Sequence, residues 1–401
     1  MKVLWITNLI LPEANKLSGR SVNPFGGWMD NASGLLAKQP DISLSIASPV
    51  SHEDQITVLK GERITYYLFP YPHQHTKKMD RLKRDIISLL EEIQPQIVHI
   101  FGTEFSHSCL ISQICKELKI KCVVSIQGMV SVAAKHYMAH LPCITQHKYS
   151  FRDFIKRDNL LMQQKKYIER GSYEVKTIES ADYIIGRTTW DQACCFQIND
   201  KCSYFACNET LRSVFYHHQW QPVTCEKYSI FASQASVPLK GAHHLIEAMP
   251  IILKQFPEAN LYIAGPDITR SATIKEKLKL TAYGQYLKNL IKKHHLGNHI
   301  HFIGILSERE MCARYLKAHV FVCPSSIENS PNSLGEAMLL GVRPGHTLAS
   351  DAADAAARGD RAQAIAIYAQ LAREQPSEPA YASAARILMR DEARVRPHSG
   401  E

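Results

Sequence analysis

Two glutamates, Glu328 and Glu336, stand eight positions apart where a polar loop leads into a predicted helix. The dipeptide Ser330-Pro331 between them is typical of an N-cap followed by a first helical residue. Ionised carboxylates are good acceptors for the paired hydroxyl groups of sugars, so one glutamate can hold a ribose and the other a transferred sugar. Either glutamate alone could instead complement the dipole of the helix start. The pair, with the cap between its members, favours a sugar site.

The start of the same predicted helix is suited to an anion. The first N–H groups of a helix have no partner within it, and the helix dipole favours negative charge there. Here these groups lie near Asn332 and Ser333. Lys240, which with Gly241 opens another predicted helix, supplies a cation. A cation beside a leaving diphosphate stabilises the charge that grows as the bond breaks, although Lys240 could also be a solvated lysine at a helix start.

This segment resembles the E-x7-E signature of the family-4 retaining glycosyltransferases, which have the GT-B fold, and the resemblance covers roughly residues 1–342. It implies that Glu328 contacts the donor sugar, that Glu336 binds the nucleotide ribose and that Lys240 contacts the donor phosphates. It also implies that no metal is required. Consistent with this, the chain contains no Asp-x-Asp, the divalent-metal motif of the other major glycosyltransferase fold. We therefore expect a hexosyltransferase-type enzyme without a cofactor.

The resemblance adds further site positions. Gly26 and Gly27 follow the first strand-like run, where the family has a glycine-rich loop that faces donor and acceptor. Gly265 follows a later strand-like run and is assigned to the donor site. Gln127 stands where many relatives have a histidine near the reacting sugar, and we count it with the catalytic residues because its amide can donate a hydrogen bond, although it cannot titrate. A Rossmann dinucleotide site is disfavoured, since G-x-G-x-x-G is absent.

Other segments depart from the family pattern or leave their role open. Ser233-Gln234 stands where many members have an arginine that shares the phosphate contact, so the second cation is missing or comes from elsewhere. Residues 186–191 and 208–212 resemble motifs of a bacterial branch of the family that is linked to surface polysaccharide synthesis. Within the first of them, Arg187 could contact an anionic acceptor or pair with Asp191.

Short β-rich runs alternate with helix-length segments along most of the chain, which predicts parallel sheets with helices on both faces. The strand-like runs are Val3–Ile6, Ser43–Ala47, Gln96–Phe101, Cys122–Ile126, Tyr183–Gly186, Tyr228–Ala232, Leu261–Ala264, His301–Ile303 and Val320–Cys323. A helix is predicted near Lys275–His294. We expect an α/β chain of two tandem Rossmann-like domains, an acceptor domain at residues 1–210 and a donor-nucleotide domain at residues 211–342.

Past Gly341 the sequence becomes rich in Ala and Arg and loses the alternation of strands and helices. Residues 343–401 resemble a single tetratricopeptide repeat, and an Ala-rich helical hairpin fits them equally. One repeat cannot bury its apolar face alone, so this helical tail should pack on the body or remain partly disordered. The second domain is then truncated, without a strand and several helices that the family has. We expect this domain to be destabilised, or patched by the tail.

Composition limits the partners and the compartment. The net charge of +9 suits an anionic partner. The basic run at residues 148–176 could lie on an anionic membrane or form a solvated helix face. No nucleic-acid-binding module is recognisable.

The eleven cysteines include no C-x-x-C pair, which predicts reduced thiols without a zinc site. No apolar run approaches the ~20 residues of a membrane span. We expect a cytoplasmic protein, at the inner face of the membrane if the basic run binds lipid.

The sequence therefore predicts a retaining glycosyltransferase that moves a sugar from a nucleotide-diphosphate sugar to a glycan or a lipid-linked acceptor. Because the expected C-terminus is replaced, a second hypothesis stays open. In that hypothesis the chain is a catalytically inactive protein that binds a nucleotide sugar or serves as a scaffold.

Overall fold

The computed structural model describes residues 1–21, 27–51, 54–71, 76–342, 344–345, 360–374, 376 and 379–395. The chain divides into two compact units. The N-terminal unit comprises residues 1–131, 169–210 and 356–401, and the C-terminal unit comprises residues 132–168 and 211–355. Each unit is built around a largely parallel sheet with helices, so the predicted α/β fold class is confirmed.

The sheet of the N-terminal unit has eight strands in the order β3-β4-β2-β1-β5-β6-β7-β8, and every neighbouring pair except β3 and β4 is parallel. The strands are β1 Lys2–Ile6, β2 Ser43–Val50, β3 Thr57–Lys60, β4 Thr65–Pro70, β5 Ile97–Phe101, β6 Lys121–Ser125, β7 Tyr183–Gly186 and β8 Ser203–Ala206. The inner strands are short apolar runs, as a parallel sheet covered on both faces requires. The five strands predicted in this part of the chain are confirmed, and β3, β4 and β8 are additional.

The helices up to the end of this sheet are α1 Pro12–Leu17, α2 Gly27–Leu36, α3 Thr76–Ile93, α4 Ser106–Glu117, α5 Val130–Ala133, α6 Cys143–Gln146, α7 Phe151–Lys156, α8 Leu160–Ser180 and α9 Thr189–Ile198. Two of them begin with a capping box. Thr188 caps α9 and Ser150 caps α7, and in both the third helical residue is an aspartate that bonds back to the cap.

The sheet of the C-terminal unit has five parallel strands in the order β11-β10-β9-β12-β13. The strands are β9 Ser229–Ala232, β10 Asn260–Ile263, β11 Ile300–Phe302, β12 Val320–Val322 and β13 Pro344–Gly345, and the helices are α10 Ala242–Gln255, α11 Ile274–Lys279, α12 Ala282–Lys293, α13 Glu308–Lys317 and α14 Asn332–Leu340. Two 3-10 helices, Ser213–His217 and Pro238–Lys240, precede β9 and α10. The four strands predicted in this unit are confirmed.

Two predictions for this unit need correction. The helix expected near Lys275–His294 is two helices, because Thr281 caps α12 by accepting a hydrogen bond from the Gly284 amide at 2.9 Å. The strand expected to be lost after Gly341 is present as β13, which pairs in parallel with β12 through Pro344 and Gly345.

Residues 132–168 lie in sequence between two strands of the first sheet but pack within the C-terminal unit. Tyr137 and Leu160 are buried in one apolar cluster with Ile246 of α10 and Leu287 of α12. The Asp153 carboxylate accepts a hydrogen bond of 2.8 Å from the first amide of α12. A carboxylate at a helix N-terminus also complements the helix dipole, so apolar and polar contacts both fix this segment.

The tail forms two helices that pack on each other, α15 Arg361–Glu374 and α16 Pro379–Val395. It belongs to the N-terminal unit, where α16 packs on α9. Thr189 donates to the buried Tyr368 hydroxyl at 3.3 Å, and the Gln197 amide donates to Ser383 Oγ at 3.3 Å. The expectation that the tail packs on the body is confirmed. The alternative that the tail patches the second domain stays a prediction, since the two helices pack at α9 while Pro344 and Gly345 add β13 to the second sheet. No helix among the described residues is long and apolar enough to cross a membrane.

Candidate functional site

The loops after β9 and β12 bring Lys240 and Glu328 together. The two strands are parallel neighbours, so their carboxyl ends lie at the same edge of the sheet, where ligands bind in α/β proteins. The loops are also fastened to each other, since the Ser326 amide donates to the Leu239 carbonyl at 2.9 Å. Gly241 has a φ of 70°, and a Cβ at this position would overlap the Pro324 carbonyl oxygen. Only glycine permits this close approach.

We expect Gly241→Ala to destabilise the protein more than Gly341→Ala. Both glycines have positive φ, at 70° and 81°, which costs an L-residue about 1 kcal/mol. Only at Gly241 would the added methyl group also meet backbone, because nothing lies within 4 Å of a Cβ at Gly341. Urea unfolding of the two variants measures the difference. Equal losses of stability would contradict the tight contact between the loops.

Lys240 and Glu328 form an ion pair of 2.5 Å between Nζ and Oε1. The lysine side chain is 26% exposed and the glutamate side chain 17%. Burial lowers the pKa of Lys240, but the Glu328 carboxylate outweighs this and the pKa is raised above its ordinary value. The ammonium group is therefore charged at neutral pH. It has three N–H donors, so it can bind Glu328 and a phosphate oxygen at the same time.

Glu336 is held by Arg212, a residue to which the sequence analysis gave no role. Arg212 Nε and Nη2 donate to the two carboxylate oxygens of Glu336, each at 2.7 Å. The glutamate side chain is only 5% exposed, and the guanidinium group lies 4.8 Å from the centre of the Phe215 ring. Burial raises the pKa of Glu336, while Arg212 opposes the rise. Each carboxylate oxygen keeps a further lone pair that can accept from a ribose hydroxyl.

Helix α14 begins one residue later than predicted. Pro331, not Ser330, is the N-cap, and its carbonyl accepts from the amides of Leu334 and Gly335 at 2.9 and 3.2 Å. Ser330 has a φ of 50° and lies outside the helix. Asn332 and Ser333 are then the first two helical residues, at the positive end of the dipole. The helix ends at Gly341, which is its left-handed C-cap. The binding of an anion here stays a prediction.

Two of the three glycines that were assigned to the donor and acceptor loops lie among the described residues. Gly265 follows β10 with a φ of 103°, its amide donates to the Gly304 carbonyl at 2.7 Å, and the space beside its Cα is open. Gly27 begins α2, and Gly26 lies outside the described residues. Their roles at a ligand stay predictions.

In the N-terminal unit, Gln127 follows β6 and is tied to the loops after β7 and β8. The Gln127 carbonyl accepts from Arg187 Nη2 at 2.9 Å, and Arg187 Nη1 lies 3.1 Å from Glu209 Oε2. Arg187 is only 7% exposed. Asp191 accepts a hydrogen bond of 2.9 Å from the Arg187 amide as part of the cap of α9. The two segments that resemble a bacterial branch of the family are therefore joined through Arg187 and Glu209.

Glu174 is a second residue that the sequence analysis missed. It lies on α8, is fully buried, and accepts from the amides of Val130 and Ser131 at 2.9 and 2.8 Å. Thr103 Oγ1 donates to the same carboxylate at 3.1 Å. Burial raises the pKa of Glu174, against the lowering effect of these hydrogen bonds. This contact fixes the loop that carries Gln127.

A cavity of about 400 Å³ lies in the N-terminal unit beside Gln127 and Arg187, between α2 and the sheet. Its lining combines aromatic and aliphatic residues with polar ones. No group of three His, Cys, Asp or Glu residues that could hold a metal ion occurs in the described part of the chain.

Residues 217–344, which include β9 to β12, Lys240, Glu328 and Glu336, match the family model "Glycosyl transferases group 1". We found no significant match among curated protein sequences.

The solved structures with a similar fold include GT-B glycosyltransferases, whose two domains are Rossmann-like. Sucrose-phosphate synthase from Thermosynechococcus elongatus is 13% identical, with a TM-score of 0.56 over 86% of this chain and 81% of the other. An E. coli trehalose-6-phosphate protein bound with UDP-2-fluoro glucose is 10% identical, with a TM-score of 0.54 over 98% and 96%. The trehalose-phosphate synthase of Burkholderia xenovorans, in complex with glucose-6-phosphate, is 11% identical, with a TM-score of 0.52 over 85% and 83%. The predicted GT-B fold is confirmed. The family match adds that residues 217–344 are similar to the glycosyl transferases of group 1.

Proposed function

We propose that this chain is a retaining glycosyltransferase of family 4 that moves a hexose from a nucleotide-diphosphate sugar to a glycan or lipid-linked acceptor in surface polysaccharide synthesis. One observation carries the proposal. Within the domain that matches the glycosyl transferases, Glu328 and Glu336 are each bound by a cation, Lys240 and Arg212, while the family signature between them keeps its spacing.

The proposed roles follow from the donors and acceptors at the site. Glu328 accepts from hydroxyl groups of the donor sugar, and Lys240 binds the diphosphate while it holds Glu328 in place. The amides of Asn332 and Ser333 bind the same diphosphate at the start of α14. Glu336 accepts from the ribose with the lone pairs that Arg212 leaves. Gly265 lets the donor approach the backbone.

In the proposed reaction the bond between the anomeric carbon and the diphosphate oxygen breaks, and the diphosphate takes the electron pair. The acceptor hydroxyl oxygen bonds to the anomeric carbon on the same face, and its proton passes to the departing diphosphate. Negative charge grows on the diphosphate, where the Lys240 ammonium group and the helix amides stabilise it more than in the ground state. Gln127 donates a hydrogen bond near the reacting sugar. No step requires a metal ion.

A panel of UDP, GDP and ADP tests the donor site by thermal shift. A nucleotide at about 100 times its dissociation constant should stabilise the fold by about 2.7 kcal/mol. The response should vanish in Glu336→Ala and persist in Glu258→Ala, which changes a glutamate on an exposed turn of the same unit. No response to any of the three nucleotides would remove the support for the donor site.

A catalytically inactive protein that binds a nucleotide sugar, or a scaffold, is the second candidate. It is favoured by the family match, which ends at residue 344, and by the tail helices, which pack on α9 of the N-terminal unit. A thermal shift with a nucleotide, but without sugar transfer or donor hydrolysis, would favour this candidate. Formation of a product with the anomeric configuration of the donor would favour the retaining enzyme.

We also propose that residues 142–157 contact the cytoplasmic face of an anionic membrane. Five large apolar side chains of this surface are 59–85% exposed: Ile144, Tyr149, Phe151, Phe154 and Ile155. Lys148, Lys156 and Arg157 are exposed beside them. Apolar side chains between basic ones are typical of a segment that lies in the membrane interface. Such a contact would bring the enzyme to a lipid-linked acceptor.

The variant Phe151→Ser/Phe154→Ser/Ile155→Ser should bind vesicles of anionic lipid at least about tenfold more weakly, because burial of each large apolar side chain contributes about 1.5–3 kcal/mol. Vesicle co-sedimentation measures the change. Ile274→Ser is the matched control, since Ile274 is 77% exposed and lies outside this surface. Equal binding of the triple variant and the wild type would contradict the proposed contact.

A further inference from the structure

The cavity between α2 and the first sheet, here named the α2 cavity, has an aromatic interior. Its volume of about 400 Å³ is in the range of small-ligand pockets. Trp5 of β1 and Phe101 of β5 lie in its wall with their ring centroids 4.6 Å apart, and Trp28 of α2 lies 5.9 Å from the same phenylalanine. Trp5 is 4% exposed, and its indole N–H has no acceptor among the described residues. The interior thus combines flat apolar faces with a spare donor.

Polar groups of the α2 cavity are concentrated where the strands end. The polar residues at the strand ends of the cavity are Gln127, Asn208 and Thr210, together with the paired side chains of Arg187 and Glu209. Amide and hydroxyl groups both donate and accept hydrogen bonds. An aromatic wall with such groups on one side suits a sugar ring, because one face of a pyranose is made of C–H groups and its edge of hydroxyls.

The α2 cavity has no excess of charge. Arg187 is the one cationic side chain that the described lining contains, and Glu209 lies 3.1 Å from it. His99 also lines the cavity, and burial lowers its pKa to about 4, so the imidazole is neutral at pH 7. A phosphorylated acceptor would bury its charge beside a guanidinium group that already pairs with a carboxylate. The electrostatics therefore favour an uncharged ligand.

We propose that the α2 cavity is the acceptor subsite and that it takes an uncharged sugar ring, stacked on Trp28. This inference rests on the proposed glycosyltransferase function, since it names the substrate class of the acceptor. Trp28 is then a residue that determines acceptor specificity. A phosphorylated sugar and a hydrocarbon chain are the competing ligands that the test distinguishes from it.

The test measures the binding of four probes to the whole chain by saturation-transfer NMR and by calorimetry. The probes are N-acetylglucosamine, methyl glucoside, glucose 6-phosphate and decanol. We expect the two uncharged sugars to bind, and Trp28→Ala to weaken them at least about tenfold by removing the stacking face. Trp28→Phe, which keeps a flat ring, should retain binding within about threefold. Trp190→Phe is the control for the replacement of a tryptophan elsewhere in the same unit, because Trp190 lies on α9, outside the cavity lining.

A second variant keeps the test independent of the stability of Trp28→Ala. Ala32 of α2 lines the cavity, so Ala32→Phe should fill it and abolish sugar binding without a change in the sheet. Tighter binding of glucose 6-phosphate, binding of decanol alone, or binding of no probe would each overturn the proposal. The nucleotide panel tests a different site, because the residues of the proposed donor site lie in the C-terminal unit. Loss of the nucleotide response with retained sugar binding would contradict the donor site, and the reverse would contradict the α2 cavity.

Discussion

Lys240→Met is expected to lower kcat for sugar transfer, or for donor hydrolysis, by about 100- to 1,000-fold, the effect of removing one preorganised group that stabilises developing negative charge. Methionine keeps the length of the side chain and removes the ammonium group that lies 2.5 Å from Glu328. Because the charge on the diphosphate grows in the transition state, kcat should fall more than nucleotide affinity. Steady-state kinetics with the nucleotide identified by thermal shift measures both.

Two further variants decide how Lys240 acts. Lys254→Met removes an exposed lysine in the last turn of α10, the helix that follows Lys240, and should leave kcat within about twofold of the wild type. Lys240→Met/Glu328→Gln removes both charges of the pair. If this double variant recovered wild-type kcat, the lysine would serve to neutralise Glu328, and its proposed contact with the leaving diphosphate would be wrong.

Arg212→Met is expected to destabilise the protein by about 3 kcal/mol at neutral pH. Removal of one partner from a buried ion pair leaves the other charge without compensation, and Glu336 is only 5% exposed. Glu336→Gln should restore most of the loss in the double variant, because the buried charge is then gone. Denaturant unfolding of the two single variants and the double variant measures the coupling. Arg309→Met, at an exposed position on α13, is the control.

The loss in Arg212→Met should depend on pH. Burial raises the pKa of Glu336 already in the wild type, and Arg212 opposes that rise. Without the arginine the folded-state pKa rises further above its unfolded value. A carboxyl group with a raised folded pKa contributes stability at low pH and loses it as the pH passes upward through that pKa. The deficit of the variant should therefore be small near pH 4 and reach its full size at pH 7. A deficit independent of pH would show that the lost contact with Phe215, not the charge of Glu336, causes it.

The sequence could predict the alternation of strands and helices because each inner strand is a short apolar run with its own local signal. Strands β3 and β8 lack that signal, since they lie at the edges of the sheet and are largely exposed. Strand β4 carries the run Tyr66–Phe69, which has the composition of a buried strand and therefore does have a local signal in the sequence. The start of α14 was misplaced by one residue because both Ser330 and Pro331 are common at helix starts.

The candidate site could be predicted only in part. Glu328, Glu336 and Lys240 have a spacing or a local context that the sequence displays. The pairing of these charges has no local signal in the sequence, since Arg212 is 124 positions from Glu336 and Lys240 is 88 positions from Glu328. Which cation meets which carboxylate is decided by the order of strands in a sheet. The role of Glu174 could not be predicted either, because a glutamate within a long helix usually indicates a solvated face.

Residues 132–168 have a consequence for biosynthesis. They leave the ribosome before β7 and β8 of the first sheet, yet Tyr137, Leu141 and Leu160 are buried against side chains that extend to Ile300. During translation this segment lacks its apolar partners in the C-terminal unit until most of the second sheet has been made. Its apolar side chains must stay exposed over that interval, together with the aromatic residues of the 142–157 surface. Exposed apolar surface of this kind makes the nascent chain prone to aggregation over that interval.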